Sequence, residues 1–330
     1  MFDKIKQIIR EDLWFIISLI IIFIVFNVKL PYYINMPGGT IKINDRIDCD
    51  KCNDINGSLN MLYVSEIVAT IPTYLFSYVI PNWDLESIKN QQINNETVEE
   101  INSRNKLMLD SSIDSAMYVS YKEAGKDIKI KDKRSYVVTV MFDNNLLIGD
   151  EILEVDNNKI EDISDIKKII LGKNVGDSLD FKVKRNNKDI NVNVEVREKD
   201  NNKIIGAVII TDYDYEVDPK IDIKFRKSES GASGGLMMAL SMYTKISDDD
   251  IVRGRKIAGT GTISSDGSVG EIDGIKYKIM GAVRDNMDIV LVPSGNYKEA
   301  MQVVKKNKYD IKIVEVKTFK DAINYLKNNK

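Results

Sequence analysis

The longest apolar run in the chain comes almost at once. From Leu13 to Val28 the residues read LWFIISLIIIFIVFNV, nearly without interruption, and the run can be extended through Leu30. A buried core helix would carry a polar stripe, and none is visible here. With Trp14 at one end and Tyr32-Tyr33 at the other as interfacial anchors, the pattern predicts a tilted transmembrane helix over 13–30. The following Asn-Val-Lys-Leu-Pro-Tyr-Tyr offers no small-residue cleavage site, so the run reads as an uncleaved signal anchor. Lys4, Lys6 and Arg10 precede it. A short basic N-terminus ahead of a long domain predicts residues 1–12 inside the cytoplasm and the rest outside, at the cell membrane.

Beyond the run the periodicity shortens. Pro37-Gly38-Gly39 is a turn into an alternating strand, Thr40-Ile41-Lys42-Ile43. A strand pair is predicted between Ser58 and Tyr78, and a polar stretch from about Ile93 to Lys126 is compatible with a helix. Neither carries recognisable chemistry, so 31–125 is a connecting region. From 126 to 199 the pattern is β-rich. Tyr136–Val140 reads as a strand. Phe181 and Val183 alternate with polar residues up to Asn186-Asn187, and Ile190, Val192, Val194 and Val196 alternate on the way back. Adjacent asparagines suit the positive φ of a tight turn, which makes this segment a hairpin. Lys199–Lys203 is a charged linker. After it, 200–330 predicts strands at 204–211 and 221–225 and a closing strand and helix, with Thr318 as the N-cap of the latter.

Composition removes several chemistries. The 330 residues contain no histidine, so a Ser-His-Asp or Cys-His set is impossible and the commonest zinc sites lose their main ligand. No metal and no cofactor is expected. The net charge of −3 and the lack of a basic block argue against nucleic acid. No G-x-x-x-x-G-K-[ST] loop appears, so nucleotide hydrolysis is not expected. Cys49 and Cys52 form a lone C-x-x-C, read as a short local disulfide or two free thiols.

Two segments could carry a reaction. Ser228–Gly235 is a crowd of small residues feeding a helical run from Leu236 to Tyr243. Small residues at a helix start let a substrate approach the backbone, and free N–H groups there can hold an oxyanion. Such clusters also simply allow close packing. In the second, Asp273–Val283, both Lys276 and Lys278 neighbour apolar residues at helical spacing. A lysine desolvated among them would lose basicity and could act as a base. Helical geometry alone leaves both lysines eligible.

Together these segments resemble a known family. Gly231-Ala232-Ser233-Gly234-Gly235, Gly259-Thr260-Gly261-Thr262-Ile263 and Asp273-Gly274-Ile275-Lys276-Tyr277-Lys278 are similar to the G-P-S-A-G, G-T-G-[TE]-[IV] and G-G-[ILV]-x-x-K hallmarks of Lon-type peptidases. By motif position the resemblance implies Ser233 as nucleophile, Lys278 rather than Lys276 as base, and Thr260 as support of the dyad. Ala232, Gly234 and Asp273 depart from the pattern, and a carboxylate at Asp273 would raise the lysine pKa. Leu146–Ile160 resembles the L-x-x-G-D-x-I-x-x-V-[ND]-G-x-x-I signature of bacterial PDZ domains, with Asn157 in place of the turn glycine. The carboxylate-binding glycine of such a domain would fall just before Val137, where Lys133-Arg134-Ser135-Tyr136 stands.

The whole order resembles the membrane-anchored PDZ–Lon peptidases of Gram-positive bacteria. It implies an α+β multidomain chain: a transmembrane helix, a PDZ-like module at 126–199 and a Lon-type proteolytic domain at 200–330. The implied function is an ATP-independent serine endopeptidase acting on extracytoplasmic peptides or proteins. The alternative is an inactive PDZ-containing scaffold at the membrane surface. Lon-like domains often form rings, so the resemblance leaves room for a homo-oligomer.

Overall fold

The computed structural model describes residues 12–49 and 51–329. Lys4, Lys6, Arg10 and the tail they belong to lie outside the described residues. The chain divides into two compact units, one of residues up to Gly38 with Val64–Gln91, the other of Gly39–Tyr63 with Gln92 onward. The strands Lys29–Lys42 and Ser58–Thr70 contribute residues to both.

In the first unit the apolar run forms helix α1, Leu13–Asn27, with no buried residue. Its 15 residues rise about 22 Å, short of the roughly 30 Å of hydrocarbon in a bilayer. No helix among the described residues is long and apolar enough to cross a membrane. The predicted transmembrane helix over 13–30 is therefore overturned. The helix stops because Pro31 disfavours helical backbone before it, and Val28 is already extended with ψ 117°. The anchor role given to Tyr32-Tyr33 goes with it: both lie in the strand Lys29–Lys42, where Tyr33 is buried. Tyr32–Asn35 pair antiparallel with the strand Asp84–Ser87. The strand pair expected between 58 and 78 is one strand, Ser58–Thr70, followed by helix α2, Ile71–Ser77. Pro72 in the first turn and the Thr70 N–H donated to Thr73 Oγ1 at 2.8 Å start that helix.

In the second unit, Thr97 caps helix α3, Val98–Glu123, through a reciprocal box with Glu100. The β-rich module follows as a sheet in the order 207–217, 128–140, 151–155, 178–185, 188–195. Asn186 and Asn187, with φ 51° and 60°, make the turn of the predicted hairpin, in which Arg185 faces Lys188. Helix α4, Ile163–Leu171, closes the core through Ile166 and Ile170 against Val137, Phe181 and Ile209. The expected linker 199–203 is instead part of a small hairpin, Arg197–Lys199 with Asn202–Ile204. The strand Ile128–Val140 is interior to its sheet: it pairs with 207–217 along its length and with Glu151 and Ile152 at Tyr136 and Ser135. Ser135 and Tyr136 are thus paired on both sides, while Lys133 and Arg134 are paired to Tyr213 and Asp212 on one; the terminal strand on that side is Ala207–Val217, beyond the predicted module.

The C-terminal part is built on parallel strands in the order 58–61, Lys256–Gly259, Ile289–Pro293 and Lys312–Val316. Ile289–Pro293 is buried throughout, as expected of a parallel strand covered on both faces. Around the sheet lie α5, Gly235–Ile246, α6, Ile275–Arg284, α7, Ser294–Asn307, and α8, Phe319–Asn328. Leu59, Leu236, Leu240 and Phe319 belong to one core, and Ile275, Ile279, Val290 and Ala300 to another. Thr318 caps α8 through Asp321, as predicted. Cys49 and Cys52 form a disulfide.

Candidate active site

Ser233 lies on the turn that opens α5, half-buried, with Gly234 as N-cap. The small residues around it answer to close packing. A Cβ on Gly234 would lie 1.9 Å from Met61 Sδ, and one on Gly235 would lie 2.6 Å from Ser112 Oγ and 2.9 Å from the Ile263 N–H nitrogen. The turn is thus pressed between a parallel strand and helix α3, which only a backbone without side chains allows.

The carbonyl of Ser233 accepts two hydrogen bonds, from Gly261 N–H at 2.8 Å and from Thr260 Oγ1 at 3.0 Å. Thr260 is fully buried, and its own N–H is held by the Leu291 carbonyl at 3.1 Å. Lys278 Nζ donates to Thr260 Oγ1 at 3.1 Å. The hydroxyl thereby uses one donor and one acceptor. Ser233, Thr260 and Lys278 are consequently brought together, with Thr260 bridging the amine to the serine main chain. No direct hydrogen bond joins Ser233 Oγ and Lys278 Nζ among the described residues.

Lys278 is 3% exposed on α6, whose N-cap Gly274 is left-handed with φ 72°. Asn296 fixes the approach to that helix, bonding both the N–H and the carbonyl of Ile272 at 2.9 Å. Burial lowers the lysine from its usual 10.5 to about 8, against the opposing pull of the Asp273 carboxylate. Desolvation outweighs the nearby charge because Asp273 is itself exposed and screened by water. Lys276, the other eligible lysine, is only partly buried and stands 5.2 Å from the Tyr277 ring centre. Tertiary packing thus distinguishes two lysines that helical spacing could not.

Residues of α3 also reach the turn, which the sequence reading did not anticipate. Ser112 Oγ donates to the Ala232 carbonyl at 3.1 Å, and the Asn105 carbonyl accepts the Gly231 N–H at 2.9 Å. The available signal was a small polar residue inside an apolar stripe: Leu109, Ser112, Ala116 and Val119 share the buried face. Asn296 left no comparable trace.

A small-residue turn at a helix start and a buried lysine on a neighbouring helix pack on a covered parallel sheet, in a chain that also holds a β-rich module. Comparison with known proteins gives both their particular kind. Residues 224–328 match the Lon protease (S16) C-terminal proteolytic domain, and residues 130–196 match the PDZ domain. A Lon protease of Neorickettsia sennetsu is 32% identical over 98 residues, covering 30% of this chain and 12% of that protein. One from Trichlorobacter lovleyi is 33% identical over 95 residues, covering 29% and 11%. The chain thus spans only about a tenth of the length of these relatives. The PDZ domain of the SdrC-like protein from Listeria monocytogenes is 25% identical, covering 24% of this chain and 92% of its own. Its TM-score of 0.23 establishes no shared architecture. The chain carries a Lon-type serine-peptidase domain and a PDZ domain.

Proposed function

We propose that the protein is an endopeptidase acting on peptides or proteins, with Ser233 as nucleophile and Lys278 as general base. One observation carries the reading: a buried lysine, lowered to about 8, lies 3.1 Å from a threonine hydroxyl that in turn holds the Ser233 carbonyl. A neutral amine in this setting can take the Ser233 proton as Oγ attacks the scissile carbonyl carbon. The ammonium so formed returns that proton to the leaving amine, and a water repeats the cycle to release the acyl group. Substrate binding would have to close the gap between Oγ and Nζ, a tightening common on forming a Michaelis complex. The N–H groups of Gly235, Leu236 and Met237 already have acceptors, whereas those of Ser233 and Gly234 have none among the described residues. They are the donors for the oxyanion.

The lack of a nucleotide-binding loop supports turnover without nucleotide hydrolysis by this chain. The Cys49–Cys52 disulfide supports action in an oxidising compartment outside the cytoplasm. The test compares the parent with Ser233→Ala, Lys278→Ala and Lys276→Ala on fluorescein-labelled casein. Loss in the first two and retention in the third is expected. Equal turnover by all four would overturn the assignment.

A further inference from the structure

Helix α3 lies outside both matched domains, yet it touches the main chain immediately before Ser233. It contains an internal control. Ser103 and Ser120 bond carbonyls of their own helix, Glu99 and Met117, each at 2.9 Å, as serines within helices usually do. Ser112 instead directs its hydroxyl to the Ala232 carbonyl at 3.1 Å while only 4% exposed.

The consequence follows from peptide geometry. The Ala232 carbonyl and the Ser233 N–H belong to one planar trans unit and point in opposite directions. Holding the carbonyl against α3 turns the N–H away from α3. The next peptide plane is held separately, since the Ser233 carbonyl is bonded by Gly261 N–H and Thr260 Oγ1. With both flanking planes held, φ and ψ of Ser233 are set, and so is the direction of its Cα–Cβ bond. Helix α3 is itself braced on the strand Ala207–Val217: Tyr213 N–H donates to Asp114 at 2.9 Å, and Tyr118 stacks on Tyr215 with centroids 6.2 Å apart.

We propose that Ser112 is a positioning residue for the peptidase reaction, fixing the peptide plane before Ser233 so that its N–H faces the developing oxyanion and its hydroxyl faces the base. The inference rests on the reading of Ser233 as nucleophile. The Ala232 carbonyl also accepts the Gly235 N–H at 3.2 Å, so Ser112→Ala removes the tie to α3 and leaves the plane held only within its own turn. As a result kcat should fall about tenfold with KM little changed, the pattern expected when an oxyanion donor is misaligned. The rate of Ser233 modification by a fluorophosphonate should fall in parallel. Ser112→Cys keeps the volume and a weaker donor, so it should lie between parent and alanine variant. It also keeps the test valid should Ser112→Ala fail to fold.

Ser120→Ala, on the same helix, should lower the melting temperature without changing kcat. Parental kcat and labelling rate in both Ser112 variants would overturn the proposal. So would an equal loss in the Ser112 and Ser120 variants that tracks melting temperature. Failure of the underlying reading looks different: Ser233→Ala would retain turnover and labelling whatever Ser112 does.

Discussion

The pH dependence of turnover is the most direct consequence of burying Lys278. An amine with its usual value of 10.5 would be neutral in only about one molecule in 3,000 at pH 7, whereas one lowered to about 8 is neutral in about one in ten. Burial therefore raises the population of usable base about 300-fold at neutral pH, equivalent to about 3 kcal/mol. The sign is fixed by the charge type: protonation removes the base, so activity is lost as pH falls. Initial-rate measurements of kcat/KM on labelled casein from pH 5.5 to 10 should rise about tenfold per pH unit and level off above about 8. The same burial makes the charged lysine a cost to stability below pH 8, relieved as pH rises from about 8 to 10.5. Asp273 raises the lysine, so Asp273→Asn should move the rising limb to lower pH and increase activity at pH 7. A flat profile, or a midpoint near 10.5, would refute a desolvated lysine base.

Two further expectations concern stability. Asp114, on α3, is pushed up to about 8 by burial first and by its hydrogen bond with Asp212 next. The folded chain then holds a proton that the unfolded chain releases above about 4, so stability is lost as pH rises from about 4 through 8. Asp114→Asn cannot titrate and should flatten the fall of melting temperature between pH 5 and 9; an unchanged slope would exclude Asp114 as its source. In the PDZ domain, Asp150 is 1% exposed and takes two bonds of 2.7 Å from Arg185 Nε and Nη2. Asp150→Ala would leave that half-buried guanidinium with the Asn145 carbonyl at 2.9 Å but no carboxylate, and would strip the Leu147 N–H of its acceptor, at a cost of about 3 kcal/mol, read as a lowered denaturant midpoint. A midpoint within error of the parent would show the pair to be dispensable.

Much of this protein was legible residue by residue. The Asn186-Asn187 hairpin, the Thr318 cap and the absence of histidine are local facts: turn chemistry, capping and composition act over a few residues and need no partner from afar. Ser233, Thr260 and Lys278 are singled out by their resemblance to the Lon-type hallmarks, whereas spacing by itself leaves Lys276 and Lys278 equally eligible. Other features depend on segments distant in sequence. The length of α1 is set by where Pro31 and the pairing of Tyr32–Asn35 draw the backbone into a strand, and hydropathy does not register that competition. The strand 207–217 lies beside 128–140 and occupies the edge of Lys133–Tyr136 that faces it. Lys276 and Lys278 have similar helical neighbourhoods, and only packing decides which of them is desolvated. Ser112 meets Ala232 across 120 positions of chain. Local rules specify which groups the chain offers, whereas burial and hydrogen bonding depend on who the neighbours are, and only the folded arrangement supplies them.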